Sequence, residues 1–261
     1  MWKYFGVICN VVTVLLGGGL GLMLRRRSGG KTDERAGAFP PREKLPETMM
    51  VCLGFCTIFA AVSGLVGVEN GVQALICVGS MVAGLLIGWL LRLDDRLNRL
   101  GDVVLEHMGG GAEGVSNPAE GFVTACLLFC IGSMTILGSF ESARNGAGGL
   151  DLNCHTTLLI KSLLDFVSST CLSVTYGASV LASAGFVVLF QGGLTLLAST
   201  IQPFLNQINA LPMVNCVGSL ILLCIAMNLM DIKKTKTADY LPAIFLPILI
   251  CWGLGLLGIR V

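Results

Sequence analysis

Residues 156–176 read Thr-Thr-Leu-Leu-Ile-Lys-Ser-Leu-Leu-Asp-Phe-Val-Ser-Ser-Thr-Cys-Leu-Ser-Val-Thr-Tyr. Twenty-one residues in an α-helix rise about 32 Å, enough to cross the hydrocarbon core of a bilayer. The stretch holds no glycine or proline, and its only charges are Lys161 and Asp165. At a spacing of four these meet on one helix face, where they can neutralise each other. Ser162, Asp165, Ser169 and Ser173 recur at helical spacing and draw a polar stripe along an apolar helix. A lipid-facing helix would not carry such a stripe, because an uncompensated charge in hydrocarbon costs roughly 2.5–3.5 kcal/mol or more. Other spans must therefore enclose this one.

Those spans lie on both sides of it. Apolar runs long enough to cross a membrane occupy 4–24, 48–68, 71–91, 119–140, 178–201, 211–230 and 240–259. Of 17 basic and 16 acidic side chains, only Glu120, Lys161 and Asp165 fall inside the runs. Charged residues make up 13% of the chain, against about 25% in soluble domains. This excludes a soluble globular protein, a nucleic-acid binder and a disordered chain. Barrel strands would be about half as long and would alternate. The expected fold is all-α: a polytopic bundle of eight spans forming a single transmembrane domain over 1–261. The first run is too long for a cleaved signal peptide, and its arginines follow it.

Basic residues collect on cytoplasmic loops. The first loop carries Arg25, Arg26, Arg27, Lys31, Arg35, Arg42 and Lys44; the third Arg92, Arg96 and Arg99; the seventh Lys233, Lys234 and Lys236. Against them stand Lys3, Arg144 and Arg260. This asymmetry places both termini on the non-cytoplasmic side. Residues 25–47, with Gly29, Gly30, Pro40, Pro41 and Pro46, read as a flexible basic connector; contact with anionic headgroups is a second reading. Over 93–108, Leu93, Leu97, Leu100, Val104 and Met108 recur at helical spacing among charged residues, which predicts an amphipathic helix on the cytoplasmic surface, ended by Gly109 to Gly111.

Ten of the 11 cysteines fall inside apolar runs, where cysteine packs as a small hydrophobe. Cys52/Cys56 and Cys126/Cys130 share helix faces and leave open a soft-metal reading. Cys154 and His155 lie in an outer loop and His107 on the surface helix, without a zinc-ligand pattern. No metal site and no cofactor are expected. Nor is an enzyme: there is no HExxH pair, no serine–histidine dyad at membrane depth and no protease-like aspartate pair.

The chain also repeats itself weakly. Cys52-Leu-Gly54, Cys130-Ile-Gly132 and Cys216-Val-Gly218 open similar stretches; Gly17 and Gly21 match Gly84 and Gly88; 14–22 resembles 188–196. Under the charge-derived topology, spans 1–3 correspond to spans 6–8 inverted, a transporter pattern. Small residues four apart also serve plain helix packing.

The candidate substrate- or ion-binding residues are Asp165, Lys161 and Gln191, with Ser162 and Ser169 as donors and Glu120, Asn10 and Thr195 as supporting polar groups. Gln191-Gly192-Gly193 is expected to loosen its helix and expose carbonyls. Two readings stay open: a polar pathway, or a buried structural pair with Asn and Gln as interhelical glue.

Glu120-Gly-Phe-Val-Thr-Ala125, Leu127-Leu-Phe-Cys-Ile-Gly-Ser-Met-Thr-Ile-Leu-Gly138, Lys161-Ser-Leu-Leu-Asp165, Gln191-Gly-Gly-Leu-Thr-Leu-Leu-Ala198 and Leu241-Pro-Ala243 resemble the YqgA/YdfK-like bacterial integral membrane proteins, domain of unknown function 554. The 25–47 loop is longer than is usual there. The resemblance implies a bacterial cytoplasmic (inner) membrane location and no particular activity. The expectation is a secondary transporter or ion-coupled carrier of a small polar solute or ion. The alternatives are an oligomeric channel or a non-transporting scaffold. Expected partners are the lipid bilayer, the solute or ion, and further copies of the chain through Gly-rich helix faces; nucleic acid is not one.

Overall fold

The computed structural model describes residues 2–28, 45–107, 118–131, 133–144 and 152–257. Ten α-helices are found among them: α1 (Phe5–Ser28), α2 (Leu45–Leu65), α3 (Gly71–Leu91), α4 (Leu93–His107), α5 (Pro118–Cys130), α6 (Ser133–Arg144), α7 (Thr156–Tyr176), α8 (Ser179–Gln207), α9 (Leu211–Leu229) and α10 (Leu246–Leu256). A 3-10 segment, Thr237–Ile244, precedes α10. No strand occurs among the described residues. Seven helical units are long and apolar enough to cross a membrane, and α5 with α6 makes an eighth if read as one broken span. The bulk of the 25–47 loop, Met108 and the glycines at 109–111 lie outside the described residues.

Local chemistry sets the boundaries. Asn70 caps α3, its side-chain oxygen accepting from Gln73 N at 2.9 Å, while Gln73 Oε1 accepts from Glu69 N at 3.1 Å. Arg92, left-handed at φ 50°, ends α3 and turns the chain into α4. Gly177, at φ 71°, makes the two-residue turn between α7 and α8.

The enclosure expected for residues 156–176 is observed. In α7, 61% of the apolar window is buried by protein, against 33% for α1, α2 and α8. α1 packs along α7 through glycine: a Cβ at Gly17 would strike the Phe166 carbonyl, and one at Gly21 the Thr170 carbonyl. α2 lies on α9, with Gly54 against Met230, and α3 lies on 237–244, with Gly84 against Ala243 and Gly88 against Asp239. These glycine stripes are thus used inside the molecule; Gly19, Gly79, Gly192 and Gly193 face open space.

Three expectations are corrected. The run 119–140 is not one straight helix: α5 ends at Cys130, α6 starts at Ser133, and their axes differ by 54°. Gly132-Ser133 supplies poor helix formers there, and Thr135 Oγ1 donates to the Phe129 carbonyl at 3.1 Å, satisfying a group the break would orphan. The Gln191-Gly192-Gly193 stretch, by contrast, does not loosen; α8 runs unbroken from Ser179 to Gln207. The last span also differs from its expected start at 240: Pro242 and Pro247 sit at a 3-10 to α junction, so regular helix begins only at Leu246.

The amphipathic reading of 93–108 holds as α4, with its weight moved. Gly101 is buried against Ala119 and Phe122 of α5, while Leu100 is 58% exposed. The backbone N–H of Asp94 donates to Asp239 Oδ1 at 2.9 Å and ties the start of α4 to the last span.

Candidate functional site

The α7 stripe points inward, with Ser162, Asp165, Ser169 and Ser173 all buried. Ser169 Oγ donates to the Val14 carbonyl of α1 at 2.5 Å. Ser162 Oγ donates to the Leu158 carbonyl of its own helix at 2.7 Å. Both hydroxyls are thus engaged with backbone. Lys161 Nζ donates to Asp165 Oδ1 at 2.7 Å and to Oδ2 at 2.9 Å. The two residues are 6% and 3% exposed, so the ion pair is almost fully withdrawn from solvent.

Asn10 of α1 faces Asp165 and donates through Nδ2 to Gln191 Oε1 of α8 at 3.0 Å. Charge pair and amides form one polar cluster across three helices. It is not saturated: Asn10 Oδ1, Gln191 Nε2, Thr195 Oγ1 and Ser173 Oγ are buried without a hydrogen-bond partner. Unsatisfied buried groups each cost about 1–3 kcal/mol, and in native proteins they mark strain, water or function.

On the far side of the pair from these amides lies a cavity of about 40 Å³, lined by Lys161, Asp165, Thr57, Thr135, Leu128 and Ile131, among others. A water needs on the order of 10–15 Å³ of such space. The cavity leaves room for a water or a bare monatomic ion. Its wall includes Leu128 near the end of α5, Ile131 just after it, and Met134 and Thr135 at the start of α6.

The helices around this cavity also line a larger one, at the α4 end of the bundle. It measures about 590 Å³ and carries Glu47, Glu120, Asp231 and Lys234. An adjoining 440 Å³ space shares Glu120 and Lys234 and adds Asp94, Asp102 and Lys236. Along α9 the two spaces come close: Leu222 lines the cavity and Ile225 the basin, about 5 Å of helix apart. Burial and the neighbouring Asp239 raise the Asp94 carboxyl above its ordinary range. Lys236, 2.8 Å from Asp95, holds the Asp95 carboxyl below its ordinary range and is itself raised.

The structure thus brings together Asp165, Lys161, Asn10 and Gln191. Thr195 is buried one turn beyond Gln191. Glu120 is exposed and lines the basin. Sequence reading missed Thr57, Thr135 and Ile131; the Cys130-Ile-Gly132 motif was visible as a repeat but not as a break. It also missed the meeting of Cys77, Cys216 and Cys251 around Met213, where the Cys77 thiol lies 3.8 Å from the Met213 carbonyl and the Cys251 thiol 3.8 Å from the Met213 sulfur. Among the described residues no three His, Cys, Asp or Glu side chains gather to hold a metal. Cys52 and Cys56 lie near Cys171, and Cys130 near the ion pair. His155 is buried, with Nδ1 2.7 Å from Ser142 Oγ and its ring edge-on to Phe5.

The family profile described as "Protein of unknown function (DUF554)" matches residues 5–252. The chain is 27% identical over 257 residues to "Uncharacterized membrane protein YdfK" of Bacillus subtilis (strain 168), covering 98% of this chain and 99% of the relative. No solved structure matches it.

Proposed function

The chain belongs to the DUF554 family of membrane proteins, and from that premise we propose that it is an ion-coupled secondary transporter of the bacterial cytoplasmic membrane. The observation that carries the reading is the pairing of a buried, doubly hydrogen-bonded Lys161–Asp165 couple with a water-sized cavity at the break of a discontinuous span. Transporters hold ions where interrupted helices present backbone to a midplane site. In this reading Asp165 binds the cation, Lys161 exchanges with it for the carboxylate, and Asn10 with Gln191 orients the carboxylate.

The acidic basin is the cytoplasmic mouth of the pathway. Both termini then lie outside, as the loop charges require. Contacts of α1 with α8, α2 with α9, and α3 with 237–244 and α10 favour the inverted-repeat reading, because each span touches its counterpart.

The test is charge movement. Reconstituted protein on a solid-supported membrane should give transient currents on proton, sodium or potassium concentration jumps. The absence of current for all three ions, in both orientations, refutes the proposal.

A further inference from the structure

The broken span has a second neighbour on its other side. A groove of about 490 Å³ has Cys126 and Cys130 of α5 and the following Ile131 in its floor, Phe190 and Leu194 of α8 on one wall, and Phe245 next to α10 on another. Its lining exposes almost no polar surface. Ile131 borders both this groove and the cavity beside Lys161 and Asp165. The rim is exposed, with Phe186 at 43% and Phe245 at 62%, so the groove opens sideways onto the lipid-facing surface.

Physical chemistry narrows the occupant. Water does not fill a cavity without polar partners. An empty groove forfeits the dispersion contacts of every atom lining it. A helix from a second copy, about 10 Å across, would use up 490 Å³ in roughly one turn. Such contacts also favour small residues, whereas Phe186, Phe190, Leu194 and Phe245 are bulky. The 490 Å³ groove is many times the roughly 10–15 Å³ of such space that one water-sized group needs, so a run of methylenes fits it. The bilayer against the rim is the reservoir.

We propose that one acyl chain of a membrane phospholipid occupies this groove and packs on α5 at the break. The chain backs the half-helix from the side opposite the polar cavity. Movement of α5 away from Lys161 and Asp165 must then displace it, so bilayer chain composition acts on the hinge. The site stands whether or not the protein carries solute, and its test reads lipid rather than flux.

The test uses the full chain in phosphatidylglycerol–phosphatidylcholine vesicles, with a photoactivatable diazirine on one acyl chain. After irradiation and digestion, adducts should map to the groove lining, 126–131 together with Phe190 and Leu194. In Leu194→Trp, which narrows the groove, these adducts should fall several-fold, with those on the exposed Leu75 and Leu86 of α3 unchanged. Unchanged α3 labelling and melting show that the variant is folded. Adducts confined to exposed faces, undiminished α5 labelling in the variant, or a crosslinked dimer joined through α5 would each overturn the proposal.

Discussion

Removing one member of the Lys161–Asp165 pair should damage the protein far more than removing both. At 2.7 Å and an effective dielectric of about 20, the mutual attraction is roughly 6 kcal/mol. Desolvating two ions costs several kcal/mol each, so the pair is close to neutral against an apolar couple of the same volume. Asp165→Leu or Lys161→Leu alone leaves a charge buried without its counter-ion, a loss of about 3–5 kcal/mol. For a chain of this size that lowers the melting temperature by roughly 6–20 °C. The double variant Lys161→Leu/Asp165→Leu should return to within about 1 kcal/mol of wild type or exceed it by up to about 4. A thiol-reactive dye makes the measurement direct, since Cys77, Cys126, Cys130, Cys171, Cys216 and Cys251 are buried free thiols exposed on unfolding. Two results refute the reasoning: single variants that melt like wild type, or a double variant as damaged as the singles.

Other outcomes follow from the same geometry. Gly17→Leu and Gly88→Leu should abolish monodisperse folded protein in size-exclusion chromatography, because overpacking costs at least about 1–3 kcal/mol and the obstacles are backbone atoms; Gly19→Leu, which meets open space, should behave as wild type. Thr135→Val should lower the melting temperature by orphaning the Phe129 carbonyl, a cost of about 1–3 kcal/mol. Because Lys236 lowers the folded-state pKa of Asp95, their contact contributes stability above the ordinary aspartate pKa and loses it as pH falls through the lowered value. In Lys236→Ala the Asp95 carboxyl should titrate closer to its ordinary range by NMR, with only a slight loss in melting temperature at neutral pH, since the bridge is exposed.

Most of the fold was legible because long apolar runs have one solution in lipid. Thr156–Tyr176 and Gly71–Leu91 begin and end as their hydropathy and flanking polar residues require. The inward face of α7 followed from four polar residues at helical spacing. The break after Cys130 was not legible. Residues 119–140 are apolar throughout, and hydropathy reports depth in the membrane, not continuity of the helix. The 3-10 start of the last span was hidden likewise: its form depends on α3 lying close through Gly84 and Gly88, a contact between residues far apart in sequence.

At the site, the i,i+4 spacing gave Lys161 with Asp165. The partnership of Asn10 with Gln191 is long-range and left no local signal. Gln191 was found by its depth alone, and its Gly-Gly neighbours misled because open space beside them makes them tolerated rather than unwound. Glu120 was legible at the start of its span; that it borders a basin depends on the packing of α4 on α5, which leaves no local signal.

The central claim is that the buried pair moves charge rather than only holding helices together. The decisive measurement is the ion-jump current of reconstituted Lys161→Leu/Asp165→Leu, once its melting matches wild type. The account predicts a stable protein with no current; a stable double variant with wild-type current would contradict it.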